Sequence, residues 1–430
     1  MDWFWPEGFY AIVMIGSFVF GSFALKLPIA VALSGSAVVG ALVGGEWLPI
    51  RHIVEGMFGY LDTILIIATA MIFMKSVQKS GLLESLAAWV IRRFRRRPFL
   101  LSVGLIFIIM APGMITGSST AAVLTTGALV APVLMRLGVS RTKTAAVIAM
   151  GAIYGMIAPP VNIPAMIIGG GIDMPYVGFA LPLLVCTVPL AIFSTLVLVY
   201  PSLKEGSGDE AELEKELHRM EETPLSLRLL MPVLLMAILM TGEQLFPSFW
   251  PALGMPVVFL ISSLSALASG GRRFDFLDSS TEALNDAIPV LGILMGVGMF
   301  IQIMTLTGVQ GFLVVSVLAL PAWLMYVGIA TSIPLFGAVS AFGAASVLGV
   351  PFLLALLGRN EIMVGSALSL IAGLGDLMPP TALAGIFAAQ VVGEENYFKV
   401  LRICLPHGIA TAGWGIFVIV YANEIMGFLP

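Results

Sequence analysis

Apolar residues run along this chain in long stretches, most of about 17–25 residues, the length a helix needs to span a bilayer. The pattern predicts helices at 8–25, 27–48, 62–80, 178–200, 229–247, 249–269, 286–306 and 401–428. Barrel strands would alternate polar and apolar positions, and no such alternation organises these runs. Between the predicted helices lie two regions of a different kind, 99–173 and 313–392. Each is apolar yet broken by clusters of Gly, Ser, Thr and Pro. Lipid cannot hydrogen-bond freed backbone groups, so non-helical chain at membrane depth is tolerated only where it is buried in protein or lines a cavity.

The two regions repeat each other. Gly117 opens GSSTAAVLTTGALVAPVLMRLG, and Gly337, 220 residues on, opens GAVSAFGAASVLGVPFLLALLG. Gly138 and Gly358, Gly155 and Gly375, and Pro159-Pro160 and Pro379-Pro380 keep the same offset. Four landmarks on one offset mark an internal duplication. The first half, 1–200, holds a re-entrant hairpin at 99–136 and a broken helix at 142–173. The second, 229–430, holds a hairpin at 313–358 and a broken helix at 361–392. Upstream, KSGLLESL resembles LTGVQGFL at a slightly different offset. In this alignment Ala338 and Val339 occupy the positions of Ser118 and Ser119, and Asp376 falls opposite Met156.

Composition narrows the class. Of 430 residues, 59% are hydrophobic and 11% charged, against about 25% charged in soluble proteins. Mean hydropathy is +1.03. The chain reads as an all-α polytopic membrane protein, and the absence of a basic domain excludes a nucleic-acid binder. Cys186 and Cys404 lie far apart in apolar helices and read as packing residues, and the three histidines have no zinc spacing. The segment MDWFWPEGFY lacks a basic n-region, so it is expected to stay in the protein rather than act as a cleaved signal peptide.

Charge placement sets the expected orientation. RRFRRR at 92–97 faces the cytoplasm by the positive-inside rule. With 99–136 entering and leaving on one side, all but Arg51 and Arg359 of the 21 basic residues fall at or toward the inner side. Both termini are then external, Trp3, Trp5, Trp47 and Trp250 form an outer belt, and the repeat is inverted. The linker 201–228, with eight acids and four bases, is a solvated, partly helical cytoplasmic segment. Lys75 and Lys79, one turn apart, are expected to snorkel to the inner interface; contact with an anionic substrate is the alternative.

Paired broken segments in an inverted repeat point to the binding site of a secondary transporter. The first hairpin tip runs Gly113 to Thr120 and the first break Ala158 to Asn162. Proline removes donors and interrupts the helical ladder, so carbonyls are freed beside the hydroxyls of the tip. A hard cation such as Na+ suits that all-oxygen environment, and half-helix N-termini suit a carboxylate. Close packing of small residues is the competing explanation of GSST. The second half supplies a tip at Pro334 to Ser340 and a break at Gly373 to Thr381. Asp376 is a functional candidate because an acid at such depth is costly; capping of a broken helix is its alternative role. GLGD also occurs in intramembrane aspartyl proteases, but those need a second carboxylate sharing a proton, and Asp62 and Asp286 lie near helix ends. No enzyme is expected, and no phosphate-binding G-x-x-x-x-G-K-[ST] is present.

The stretch from Gly117 through GMIAPPVNIPAMIIGG resembles the large membrane subunit of the tripartite ATP-independent periplasmic (TRAP) transporters, and more broadly the ion-transporter superfamily. The resemblance implies an elevator-type carrier that imports an organic acid with Na+. It implies an extracytoplasmic substrate-binding protein, a small membrane subunit and a bacterial or archaeal inner membrane. Carried onto this sequence, the Na+ residues are Gly117, Ser118, Ser119, Gly155 and Pro159 in the first half and Gly337, Ser340, Gly375 and Pro379 in the second, with Asp376 beside them. Thr120, Asn162 and Thr381 are the substrate-facing candidates. A stand-alone symporter of an organic anion, or a permease subunit driven by a separate ATPase, remains open at this point.

The charge asymmetry has a direct check. Single cysteines placed near Arg95 and within 205–216 are expected to react only from the cytoplasm, and cysteines near Arg51 and Arg359 only from outside. Labelling of positions 95 and 359 from the same side would remove the inverted repeat.

Overall fold

A computed structural model describes residues 5–205, 210–220, 224–246, 250–269 and 271–429. Among the described residues every regular element is helical, and seven helices are long and apolar enough to cross a membrane. They pack in two groups. In the first, the long helix Phe276–Leu306 packs on Ile29–Val43, Ile50–Phe58 and Leu61–Lys79, with Pro6–Phe23, Leu227–Leu245 and Gly254–Leu267 against that core. The second is built around two helices, Arg141–Ile157 and Glu361–Gly373. Every residue from Thr144 to Ile157 and from Met363 to Gly373 is buried. A helix apolar on all sides must be surrounded by protein, and the many Ala, Gly and Ser residues of both let neighbouring helices approach closely.

Hairpins flank these central helices. The first has arms Pro98–Thr116 and Ser119–Arg136, the second Ala322–Gly337 and a shorter arm from Ala341 to Ala355. Residues 313–318 lie in a separate helix, Val309–Leu318, so the second hairpin begins later than the sequence pattern suggests. That helix and its counterpart Leu82–Phe94 each follow a left-handed glycine, Gly308 (φ 75°) and Gly81 (φ 81°). Both hairpins carry a proline near the end of the first arm, a serine capping the second arm, and one turn of π-helix just after it, at Val123–Gly127 and Ala345–Gly349.

These features correct the alignment of the tips. Pro112 and Pro334, Ser118 and Ser340, and Gly127 and Gly349 are each 222 residues apart. The structural counterparts of Ser118 and Ser119 are therefore Ser340 and Ala341. The helix after the second π-turn has six residues, Val350–Ala355, where the first has nine, Ala128–Arg136. Counted to the closing glycines, Gly138 and Gly358, the second stretch is two residues shorter, which restores the 220 offset downstream. Gly117 and Gly337 share an offset without sharing a role, since Gly117 is a left-handed tip residue (φ 64°) and Gly337 closes its arm.

One further expectation changes. The helix expected at 286–306 starts at Phe276, because Asp275 caps it by accepting from the N–H groups of Leu277 at 2.8 Å and Asp278 at 3.1 Å. Its polar first turns place Glu282 and Asp286 one turn apart, facing Lys75 and Lys79. Lys75 Nζ lies 2.7 Å from Glu282 and 3.0 Å from Asp286, and Lys79 Nζ lies 3.0 Å from Glu282. Both lysines are ion-paired with acids of this helix. Of the tryptophan belt, Trp5 and Trp47 are exposed, Trp250 packs against Gly242, and Trp3 lies outside the described residues. The linker holds helices Tyr200–Glu205 and Glu210–Met220.

The first group closes through a glycine pair. A Cβ on Gly56 would lie 2.6 Å from the Gly298 carbonyl oxygen, and one on Gly298 would fall on the carbonyl of Gly56. Gly298→Ala is expected to cost about 1–3 kcal/mol, the range for overpacking a filled interface, and to lower the unfolding temperature of purified protein by several degrees. Gly292→Ala, whose Cβ would meet only Ala30 Cβ at 3.4 Å, is the matched control. Equal unfolding temperatures would disprove close packing there.

Candidate functional site

The first tip reverses the chain in two residues. Gly117 donates its N–H to the Gly113 carbonyl at 2.7 Å, Thr116 Oγ1 donates to the Pro112 carbonyl at 2.7 Å, and Ser118 Oγ accepts from Ala121 N–H at 3.2 Å. Beside it, helix Arg141–Ile157 ends and Ile163–Gly170 begins, with a cis Pro159-Pro160 bond between them. Asn162 bridges the gap. Its Oδ1 accepts from Ala165 N–H at 2.9 Å, and its Nδ2 donates to the Ile157 carbonyl at 2.8 Å. The Val161 N–H, left without a helical acceptor, donates to the Met114 carbonyl of the hairpin at 3.0 Å.

The second break uses other groups for the same task. After Gly373 the chain tightens into a 3₁₀ turn, Leu374–Leu377, and passes a cis Pro379-Pro380 bond before Leu383–Val392. Thr381 Oγ1 donates to the Ala338 carbonyl at the second tip at 2.6 Å, and the Tyr397 hydroxyl donates to the Leu377 carbonyl. Ser340 Oγ accepts from Gly343 N–H at 3.1 Å. Each break also sits against its own hairpin through a glycine pair. A Cβ on Gly113 would lie 2.8 Å from the carbonyl carbon of Gly155, and one on Gly337 would lie 2.7 Å from Gly375 Cα.

The halves are then stitched crosswise. Ser119 Oγ, at the first tip, donates a hydrogen bond to Asp376 Oδ2 in the second break, and both residues are buried. Asn162 Nδ2, in the first break, also donates to Ser369 Oγ of the second central helix at 2.9 Å. Helix Leu383–Val392 packs on the first π-turn and on Arg141–Ile157, while Ile163–Gly170 packs on the second π-turn and on Glu361–Gly373. Asp376 thus approaches the start of a helical arm, where exposed N–H groups favour a negative charge. A buried carboxylate, a hydroxyl and the carbonyls of a broken helix form a set of oxygens able to coordinate a hard cation.

The candidate residues take distinct places in this arrangement. Ser119 and Asp376 meet directly. Gly155, Gly337 and Gly375 permit close backbone contact, Gly117 forms the turn, and Ser118 and Ser340 cap their arms. Thr120 and Thr381 are half-buried; Pro159 is buried and Pro379 exposed. Asn162 is fully buried, with its amide engaged by Ile157, Ala165 and Ser369. Three participants escaped the sequence reading. Ser369 left a trace, as a hydroxyl two turns before Asp376 in an apolar helix. Tyr397, and Tyr60, whose hydroxyl reaches the Ile167 carbonyl at 2.9 Å, left none.

Comparison with known proteins agrees with this architecture. The fold is similar to the crystal structure of the Alcanivorax borkumensis YdaH transporter, with a TM-score of 0.62 over 96% of this chain and 98% of that one, at 16% identity. The sequence is 25% identical over 413 residues to the isethionate TRAP transporter permease protein DctMQ of Oleidesulfovibrio alaskensis. That match covers 90% of this chain, which spans 62% of the relative's length. Residues 15–423 match the model of the DctM component of tripartite ATP-independent periplasmic transporters, and the chain belongs to that family.

Proposed function

We propose that this protein is the ion-coupled membrane carrier of a TRAP system, importing a small organic acid anion with Na+. The observation that carries the reading is the buried contact between Ser119 and Asp376. It joins the tip of one hairpin to the broken helix of the other half. An ion bound there would hold the two together, and its loss would leave a carboxylate facing its neighbours unneutralised.

The halves are read as an inverted repeat, and the second packing group as the moving body of an elevator. Three features support that reading. The hairpins and breaks form one interlocked unit. The first group carries its own core around Phe276–Leu306. Contacts between the groups include separable points such as Tyr60 on the Ile167 carbonyl and the stacking of Phe18 on Phe336, with centroids 5.8 Å apart. Thr120 and Thr381, half-buried beside the tips, are the substrate-facing residues of this proposal. Asn162 is assigned to holding the first break closed. A dicarboxylate or a sugar acid is the proposed cargo class, and the isethionate named for the relative extends the panel to be screened. A small membrane subunit and an extracytoplasmic binding protein complete the assembly in the inner membrane.

Unfolding temperature measured against Na+, with ionic strength held by choline chloride, tests the site without knowledge of the cargo. Na+ is expected to stabilise the wild type saturably. Ser119→Ala is expected to raise the half-saturating concentration roughly tenfold to hundredfold, the equivalent of about 1–3 kcal/mol for a lost buried partner. Asp376→Asn, nearly isosteric, is expected to abolish the response. Asn162→Ala should lower the unfolding temperature in all conditions and leave the Na+ midpoint in place. Superimposable Na+ curves for the wild type and the Ser118→Ala, Ser119→Ala double variant would refute the assignment.

A further inference from the structure

A second site lies away from the breaks, where Leu82–Phe94 gives way to Pro98–Thr116. Arg92, Arg93, Arg95, Arg96 and Arg97 line an open cavity of about 480 Å³, and among the described residues one carboxylate, Glu214 of the linker helix Glu210–Met220, shares it. Glu214 stands 3.5 Å from Arg92 and 3.7 Å from Arg95. Among the described residues no carboxylate pairs with Arg93, Arg96 or Arg97, whose positive charge stays available to an anion. The apolar span begins at Pro98, so the arginines stand where the hydrocarbon ends. Next to them the surface turns apolar, with Trp89 and Phe99 exposed at 45% and 51%. Trp89 meets Phe94 edge-on at 6.0 Å, and the Arg93 guanidinium lies 5.8 Å from the Phe94 ring centroid.

We propose that this arginine cavity holds the phosphate headgroup of an anionic phospholipid, with its acyl chains against Trp89 and Phe99. Guanidinium groups bind phosphate oxygens through paired N–H donors. Basic pockets at the level where a span meets water suit an anionic headgroup above and hydrocarbon below. A soluble phosphate ester satisfies only the upper half of such a site. The Glu214 carboxylate competes with the phosphate for the same guanidinium groups, so the lipid would bind against the linker helix and stiffen its junction with the first hairpin. Arg136, at the base of that hairpin, is held by Glu212 of the same helix at 2.7 Å.

Unfolding temperature of the purified full chain in mixed micelles provides the test. Phosphatidylglycerol is expected to stabilise the protein saturably, and molar salt to suppress the effect. Phosphatidylcholine, and free glycerol phosphate at matched concentration, are expected to have little effect. Arg93→Gln, Arg96→Gln, Arg97→Gln together should raise the phosphatidylglycerol midpoint roughly tenfold or more. Because these arginines also orient the chain, that variant can fail to insert, and Glu214→Gln supplies an independent reading. Removal of the competing carboxylate should lower the midpoint roughly twofold to fivefold. Equal stabilisation by phosphatidylcholine or by free glycerol phosphate overturns the proposal, as does a Glu214→Gln midpoint no lower than that of the wild type.

Discussion

Backbone N–H and C=O groups released by a helix break cannot be left to lipid, and each one buried without a partner costs about 2–7 kcal/mol. Both breaks in this chain are arranged around that constraint. At the first, Asn162 donates to the helix that enters the break and accepts from the one that leaves it, while Val161 finds Met114. At the second, Thr381 and Tyr397 cover carbonyls of Ala338 and Leu377. The partners come from the breaks themselves, from the hairpin tips and from the following helix. A break in this fold is therefore stable only when several elements are already in place. The interlocking of hairpins and central helices follows from the need to satisfy freed backbone.

Close packing serves the same end. The glycine pairs at Gly113 with Gly155 and at Gly337 with Gly375 bring each tip against its break, close enough for the hydrogen bonds to form. A methyl group at these positions would separate the backbones by tenths of an ångström at least, and hydrogen bonds weaken steeply with such displacement. The crosswise packing of the short helices Ile163–Gly170 and Leu383–Val392 on the opposite π-turns then fixes one half against the other. Side-chain chemistry at the centre, the Ser119 to Asp376 contact above all, is held by this backbone framework.

The spans, the breaks and the paired hairpins were legible from local signals, because Pro-Pro, Gly clusters and apolar runs report on the residues that carry them. The tip register was not. Gly117 and Gly337 look equivalent, and it takes the capping serines, the π-turns and the shorter arm Val350–Ala355 to show that the tips are offset by two residues. The start of the long helix at Phe276 was hidden because its first turns are acidic and resemble a connector until Asp275 is seen to cap them. Asn162, beside Pro159-Pro160, was read as substrate-facing, whereas its fully buried amide spends its hydrogen bonds on Ile157, Ala165 and Ser369. Ser119 and Asp376 were each singled out alone. Their meeting, across 257 positions, depends on how the halves interleave, which no local pattern encodes.

The corrected register sharpens the difference between the halves. Ser119 corresponds to Ala341, and Asp376, four residues before Pro380, corresponds to Met156, four before Pro160. The oxygen-bearing pair on one diagonal is replaced by two apolar side chains on the other. Duplication alone would produce two equivalent crossings between tip and break. Here the polar groups of both partners lie on the same crossing, and the residues at the corresponding positions are Ala341 and Met156. A buried carboxylate is costly wherever it sits, so placing its hydroxyl partner on the same diagonal confines that cost to one place. The capping serines Ser118 and Ser340 remain in both tips, since a helical arm that starts inside the protein needs its first N–H groups satisfied. What the two hairpin-and-break segments share is the backbone solution to the breaks, and what differs is the chemistry placed between them.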